Sequence, residues 1–149
     1  MKFEWTVQIA RSPDDVYGYL ADFSKHHEWS PKPLEIKALS EGPTEVGSKF
    51  HSSGWIPRKP HNENDVEVTT ADAAKRLTFN AVEKGEVFVN DYVLTDEAGG
   101  TRVDRSLTTP ELKGAMKLAF PIIGAVLIKP GGKKNMEMLK ANLESAKQR

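Results

Sequence analysis

The chain has 149 residues, enough for one domain with a real core, and its 21 basic residues balance 21 acidic ones. Neutral overall, with basic residues scattered, it carries no charge footprint for nucleic acid. Without cysteine there is no disulfide framework and no thiolate site, and no apolar signal segment follows Met1, so a cytoplasmic, soluble, single-domain protein (residues 1–149) is expected.

The first strand is read at Phe3, Trp5, Val7 and Ile9, which alternate with Lys2, Glu4, Thr6 and Gln8 in the period of a half-buried strand. Ser12 then supplies an N-cap, Pro13 suits the first helical position, and Asp15 stands where a capping-box acid would. Val16, Leu20 and Phe23 form one face of that helix. A second short helix is expected at residues 25–29, capped by Ser24 and ended by Ser30-Pro31.

A meander of strands follows. Leu34, Ile36 and Ala38 alternate, residues 46–56 make another strand, and residues 56–64, with Pro57 and Pro60, read as an exposed loop. Strands at 65–71, 76–82, 86–96 and 101–109 are separated by gaps that only antiparallel hairpins close, which excludes a parallel sheet. Two-residue turns at Ala73-Ala74, Lys84-Gly85 and Ala98-Gly99 would set the registers. They place Val68 opposite Phe79, Thr70 opposite Leu77, Asn90 between Phe79 and Leu107, Tyr92 between Leu77 and Arg105, and Leu94 opposite Val103. All three turns put the apolar set on one face, and a one-residue slip in any of them would scatter it.

Residues 112–147 hold the longest helical pattern: Met116, Phe120, Ile123 and Leu127, then Met136, Leu139, Leu143 and Ala146. Pro130-Gly131-Gly132 is expected to break or kink it. Residues 115–128 are apolar almost all round, which predicts burial against the rest of the protein. These roughly fourteen residues fall short of the ~20 that span a bilayer, so no integral membrane segment is expected.

The order of strand, two helices, six strands and long helix is an α+β arrangement, a curved antiparallel sheet around a C-terminal helix. With Ile9, Pro13, Val16-Tyr17, Leu20, Asp22, Glu28-Trp29-Ser30-Pro31, Val46-Gly47, Phe50, Gly99-Gly100-Thr101-Arg102-Val103, Leu139 and Leu143-Glu144 in this order, the chain resembles the START-like (helix-grip) superfamily. The group it is most similar to is the bacterial SRPBCC or polyketide cyclase/dehydrase group. The resemblance implies an apolar cavity between sheet and terminal helix that takes a small hydrophobic molecule such as a sterol, a polyketide or another lipid. It implies no cofactor and no shared catalytic residue.

Arg105 is the most informative side chain, inward-facing between Val103 and Leu107, with Tyr92 opposite and Asn90 one step along. A buried guanidinium needs a carboxylate, an aromatic face or a ligand. Arg105 is therefore read either as a ligand-orienting group or as a side chain snorkelling to the cavity rim. Trp29, Phe50, Trp55, Phe79, Phe88 and Phe120, with Ile123, are the candidate walls of a binding site, although each also serves as ordinary core. Trp55, beside Pro57, is alternatively a cover over the mouth. His26, His27, His51 and His61 lack metal-ligand spacing and are read as solvated or rim residues. No catalytic residue is assigned. The leading expectation is a binding protein in which Arg105, Asn90 and Tyr92 orient the polar end of a mostly hydrophobic ligand. The alternatives are an aromatase/cyclase-type enzyme in which the same groups polarise a carbonyl, or a module whose 115–128 face docks a protein while side chains fill the cavity.

Overall fold

The computed structural model describes residues 1–56 and 59–146. The strands are β1 (Lys2–Ile9), β2 (Glu35–Ala38), β3 (Lys49–Ile56), β4 (Lys59–Asp72), β5 (Arg76–Glu83), β6 (Glu86–Glu97) and β7 (Gly100–Thr108). They form one antiparallel sheet in the order β1-β7-β6-β5-β4-β3-β2. β1 and β2 are opposite edges, and α1 (Pro13–Ala21) with a 3₁₀ helix (Phe23–Trp29) carries the chain between them. The Ser12 hydroxyl accepts from Asp15 N–H at 3.2 Å, as the cap requires. The 3₁₀ helix is capped by Asp22 and not by Ser24, because it starts a residue or two earlier than expected and the Asp22 carboxylate accepts from Ser24 N–H at 3.1 Å.

Lys84 and Gly85 turn the β5–β6 hairpin with φ of 49° and 81°, and the pairings of Asn90, Tyr92, Leu94 and Arg105 are those expected. The β4–β5 hairpin differs. A two-residue primed turn at Ala73-Ala74 would need both alanines at positive φ; only Ala74 is, at 63°, in a three-residue connection. A bulge between Val68 and Thr70 absorbs the extra residue, so Thr70 faces Thr78 and Ala71 takes Leu77, while Val68 keeps Phe79. β3 begins at Lys49 instead of residue 46, because the preceding residues make a turn in which Ser48 N–H donates to Glu45 carbonyl at 3.0 Å. The expected loop is strand from Lys59 onward. Lys59 pairs with Ile56 and Asn62 with Gly54, and the register irregularity between those pairs accommodates Pro60. Pro57 lies outside the described residues.

The C-terminal helix does not break at Pro130. α2 (Ala115–Ile123), one π turn (Gly124–Ile128) and α3 (Lys129–Ala146) form a continuous helix of 32 residues. Pro130 has no N–H for the Val126 carbonyl and its ring presses on that carbonyl. Widening the preceding turn relieves the conflict, with Lys129 N–H donating to Gly124, five residues back. The end expected at Lys147 lies outside the described residues.

Among the described residues, Gly124, Gly132, Met136, Leu139 and Leu143 are the buried ones of this helix, and Gly132 makes contact where a break is expected from the sequence. A Cβ on Gly124 would come within 2.6 Å of the Phe3 ring, and one on Gly132 would overlap the Trp5 indole. Gly131 faces open space. Gly131→Ala is therefore expected to raise stability by about 1 kcal/mol, the helix propensity of alanine over glycine. Thermal unfolding checks this, and a lower melting temperature would mean the helix is interrupted there.

Polar contacts tie α3 down. Trp5 Nε1 donates to Lys129 carbonyl (3.0 Å), Asn135 to Trp29 carbonyl (2.8 Å), Asn142 to Glu28 carbonyl (2.9 Å), and Arg11 to Leu143 carbonyl (2.8 Å). The burial expected for residues 115–128 is not found. α2 has no buried residue, and Leu118, Ile122 and Val126 are 80%, 68% and 64% exposed. Gly124 already lies over Phe3, so the nine residues of α2, rising about 1.5 Å each, extend beyond the part of β1 that Phe3 and Trp5 occupy.

Candidate functional site

One row across the inner face of the sheet holds the unusual chemistry. Trp5 of β1 pairs with Arg105 of β7, Arg105 with Tyr92 of β6, and Tyr92 with Leu77 of β5. The Arg105 guanidinium lies between two rings, 4.9 Å from the Trp5 centroid and 5.4 Å from that of Tyr92. These faces supply cation–π attraction, but Nε and Nη1 are buried and have no hydrogen-bond acceptor among the described residues. Trp29 Nε1 is likewise buried and unpaired. Trp29 meets Tyr92 edge-on, with ring centroids 6.2 Å apart. Three donors without acceptors are thus set around one tyrosine, each carrying a desolvation penalty that an oxygen-bearing partner would remove.

The surroundings are aromatic. Phe79 stacks on Tyr92 at 6.2 Å and Phe23 meets Phe79 edge-on at 5.0 Å; Phe50 stacks on Phe23 at 4.2 Å. Asn90, buried, lies in the next row between Phe79 and Leu107. The structure therefore gathers Trp29, Phe79, Asn90, Tyr92 and Arg105, and reaches Phe50 through Phe23. Phe120 connects more distantly, through Phe3 at 6.3 Å and from Phe3 to Trp5 at 6.4 Å. Ile123 sits on α2 near it, Phe88 faces Ala81 at the start of β6, and Trp55 stands at the end of β3 with Lys32 Nζ 4.7 Å over its ring.

His26 is a residue the solvated-histidine reading missed. It is buried, tilted against Trp29 at 4.9 Å, and its Nε2–H donates to Leu20 carbonyl at 2.7 Å. Burial pushes its pKa down to about 4, and the Arg105 charge acts in the same direction. The signal lies in spacing: Phe23, His26 and Trp29 recur every three residues, one face of a 3₁₀ helix. Burial also raises the Tyr92 phenol, partly offset by the Arg105 charge, so that hydroxyl stays protonated. Trp5 was the other omission. Its inward direction follows from the alternation of β1, but its place beside Arg105 depends on a pairing across a hundred positions of sequence.

Met136, Leu139 and Leu143 of α3 are buried against the inner face. Clefts among the described residues include about 250 Å³ beside Met1, Thr109 and Phe120, about 290 Å³ on the outer face beside Asp91 and Asp104, and about 170 Å³ beside Thr44 and Phe50.

Among solved structures, TTHA0849 from Thermus thermophilus superposes with a TM-score of 0.77 at 15% identity, covering 98% of this chain and 99% of that one. NE0264 from Nitrosomonas europaea gives 0.75 at 16%, over 100% and 97%. The di-domain ARO/CYC StfQ of the steffimycin biosynthetic pathway gives 0.77 at 16%, over 99% of this chain and 52% of that protein. At these identities the likeness is one of fold. Comparison with curated proteins finds no match. At the level of sequence, the family described as polyketide cyclase / dehydrase and lipid transport matches residues 1–144. The helix-grip fold and a family match over nearly the whole chain lead to one conclusion: the protein belongs to the polyketide cyclase/dehydrase and lipid transport family.

Proposed function

We propose that the protein binds a small, mostly hydrophobic molecule whose acidic or enolic end is held by Arg105, with Tyr92, Trp29 and Asn90 around it. The observation that carries this reading is the pair of buried Arg105 nitrogens with no acceptor. An arginine kept only for packing would be expected to pair its buried donors; this half-buried one has two aromatic faces, with Nε and Nη1 left over. A planar carboxylate or enolate accepts from that fork, and the aromatic cluster suits an apolar body. Binding is favoured over turnover because the site is rich in donors and lacks a free base. His26, the buried imidazole among the described residues, is turned to the Leu20 carbonyl.

Titration with a long-chain fatty acid and the matching fatty alcohol, followed by tryptophan fluorescence, tests the reading. The native protein is expected to prefer the acid. Arg105→Met keeps length and packing while removing charge and donors, so it should hold or raise the melting temperature. It should weaken the acid by ~1.5–3 kcal/mol and leave the alcohol unchanged. A variant that unfolds, with acid and alcohol bound alike by the native protein, would make Arg105 structural.

A further inference from the structure

The exposed half of the C-terminal helix is a surface in its own right. Leu118, Ile122 and Val126, 80%, 68% and 64% exposed, recur at four-residue steps, and Met116 and Leu127 are each 47% exposed beside them. From Leu118 to Ile128 no side chain carries a hydrogen-bonding group. Lysines flank this stretch on both sides. Lys113 and Lys117 precede it, Lys129, Lys133 and Lys134 follow it, and no carboxylate occurs between Leu112 and Met136. None of the five pairs with a carboxylate among the described residues; Lys129 alone is partly engaged, donating to the Glu4 carbonyl at 3.3 Å. In a chain of 21 basic and 21 acidic residues, this leaves the remainder net acidic and the helix the positive pole.

From this we infer that residues 113–134 dock the protein on an anionic lipid surface. The apolar stripe enters the acyl boundary while the lysines meet headgroup phosphates, as an interfacial amphipathic helix does. Lipid is favoured over a protein partner because eleven residues without a polar side chain offer none of the hydrogen bonds of a protein interface, and acyl chains require none. A second copy is disfavoured by charge. Two-fold pairing through this face would bring both lysine sets together with no carboxylate to answer them. The surface is separate from the Arg105 site and does not depend on what that site holds.

Sedimentation with phosphatidylcholine vesicles, plain or mixed with an equal part of phosphatidylglycerol, tests the inference. The native protein is expected to pellet with the mixed vesicles, much less with plain ones, and to be released by high salt. Leu118→Gln with Ile122→Gln, and separately Lys113→Gln with Lys117→Gln and Lys133→Gln, should each weaken binding at least roughly tenfold. All these side chains are exposed, so thermal unfolding should be unchanged. Failure to bind mixed vesicles, or binding that both variants retain, overturns the inference. So does a dimer in sedimentation velocity that dissociates in the Leu118/Ile122 variant, because the face is then covered by a second copy. Attachment that resists alkaline carbonate overturns it too: the helix would then span the bilayer, as its length and composition allow.

Discussion

Alanine at both Gly124 and Gly132 is expected to lift the C-terminal helix from the sheet. At Gly132 the new Cβ would overlap the Trp5 indole, and at Gly124 it would meet the Phe3 ring at 2.6 Å. Neither ring has an easy retreat. Trp5 is held by its bond to Lys129 carbonyl and by Arg105 on its face, and Phe3 is hemmed in by Trp5 and Phe120. Overpacking of this kind costs ~1–3 kcal/mol per site and sometimes more. Alanine returns ~1 kcal/mol of helix propensity at each. The net loss is then up to about 2 kcal/mol at each site, larger at Gly132 than at Gly124, and up to about 4 kcal/mol together, a large part of the ~5–15 kcal/mol that stabilises an ordinary domain. Urea unfolding followed by tryptophan fluorescence reads the effect. If Gly132→Ala were as stable as Gly131→Ala, the close seat of the helix on β1 would not exist in solution. Gly132 would then belong to the break that Pro130-Gly131-Gly132 suggests in the sequence.

Acid should destabilise the fold through His26. Its folded pKa, about 4, is below the 6.5 of an unperturbed imidazole, so between those values the unfolded chain binds the extra proton. The contribution is fully present above pH 6.5 and lost as pH falls toward 4, a total on the order of 3 kcal/mol. Its cause is burial first, with protonation also placing a cation within range of the Arg105 charge. His51 acts in the opposite sense, since the carboxylates of Asp65 and Glu63 raise it, but it is exposed and solvent screens the effect. Asp91, lowered by Arg76 and Thr78, adds its own loss only at lower pH. Urea unfolding from pH 7.5 to 4.5 should therefore show stability falling most steeply below about pH 6.5. His26→Gln keeps a donor for the Leu20 carbonyl and cannot titrate, so its curve should be flatter. The same slope in the variant would assign the acid sensitivity elsewhere.

Much of the fold was legible because its signals are local. Alternation in β1 and three short hairpin turns fixed which side chains face inward, and that placed Arg105 between Val103 and Leu107 beside Tyr92. The β4–β5 turn was misread by one residue, yet Val68 still met Phe79. The bulge restored the alternation that burial of one face demands. His26 went the other way. A three-residue period was in the sequence, but the short segment gave no local sign of which helical period applied.

By itself the sequence determined the order of the elements and the inward row of the sheet, which depend on periodicity and turns acting between residues a few positions apart; its motifs carried the resemblance to the family that the match over residues 1–144 shows. Only the tertiary structure decided what the terminal helix is. Pro130-Gly131-Gly132 breaks a helix considered alone, but here a π turn absorbs the proline and Gly132 is the seat for Trp5, a residue more than a hundred positions away. An apolar stretch likewise predicts burial only if something is there to cover it. Whether β1 extends far enough to cover α2 is a matter of how two distant segments align. They align so that Gly124 rests on Phe3 and the apolar turns before it face outward.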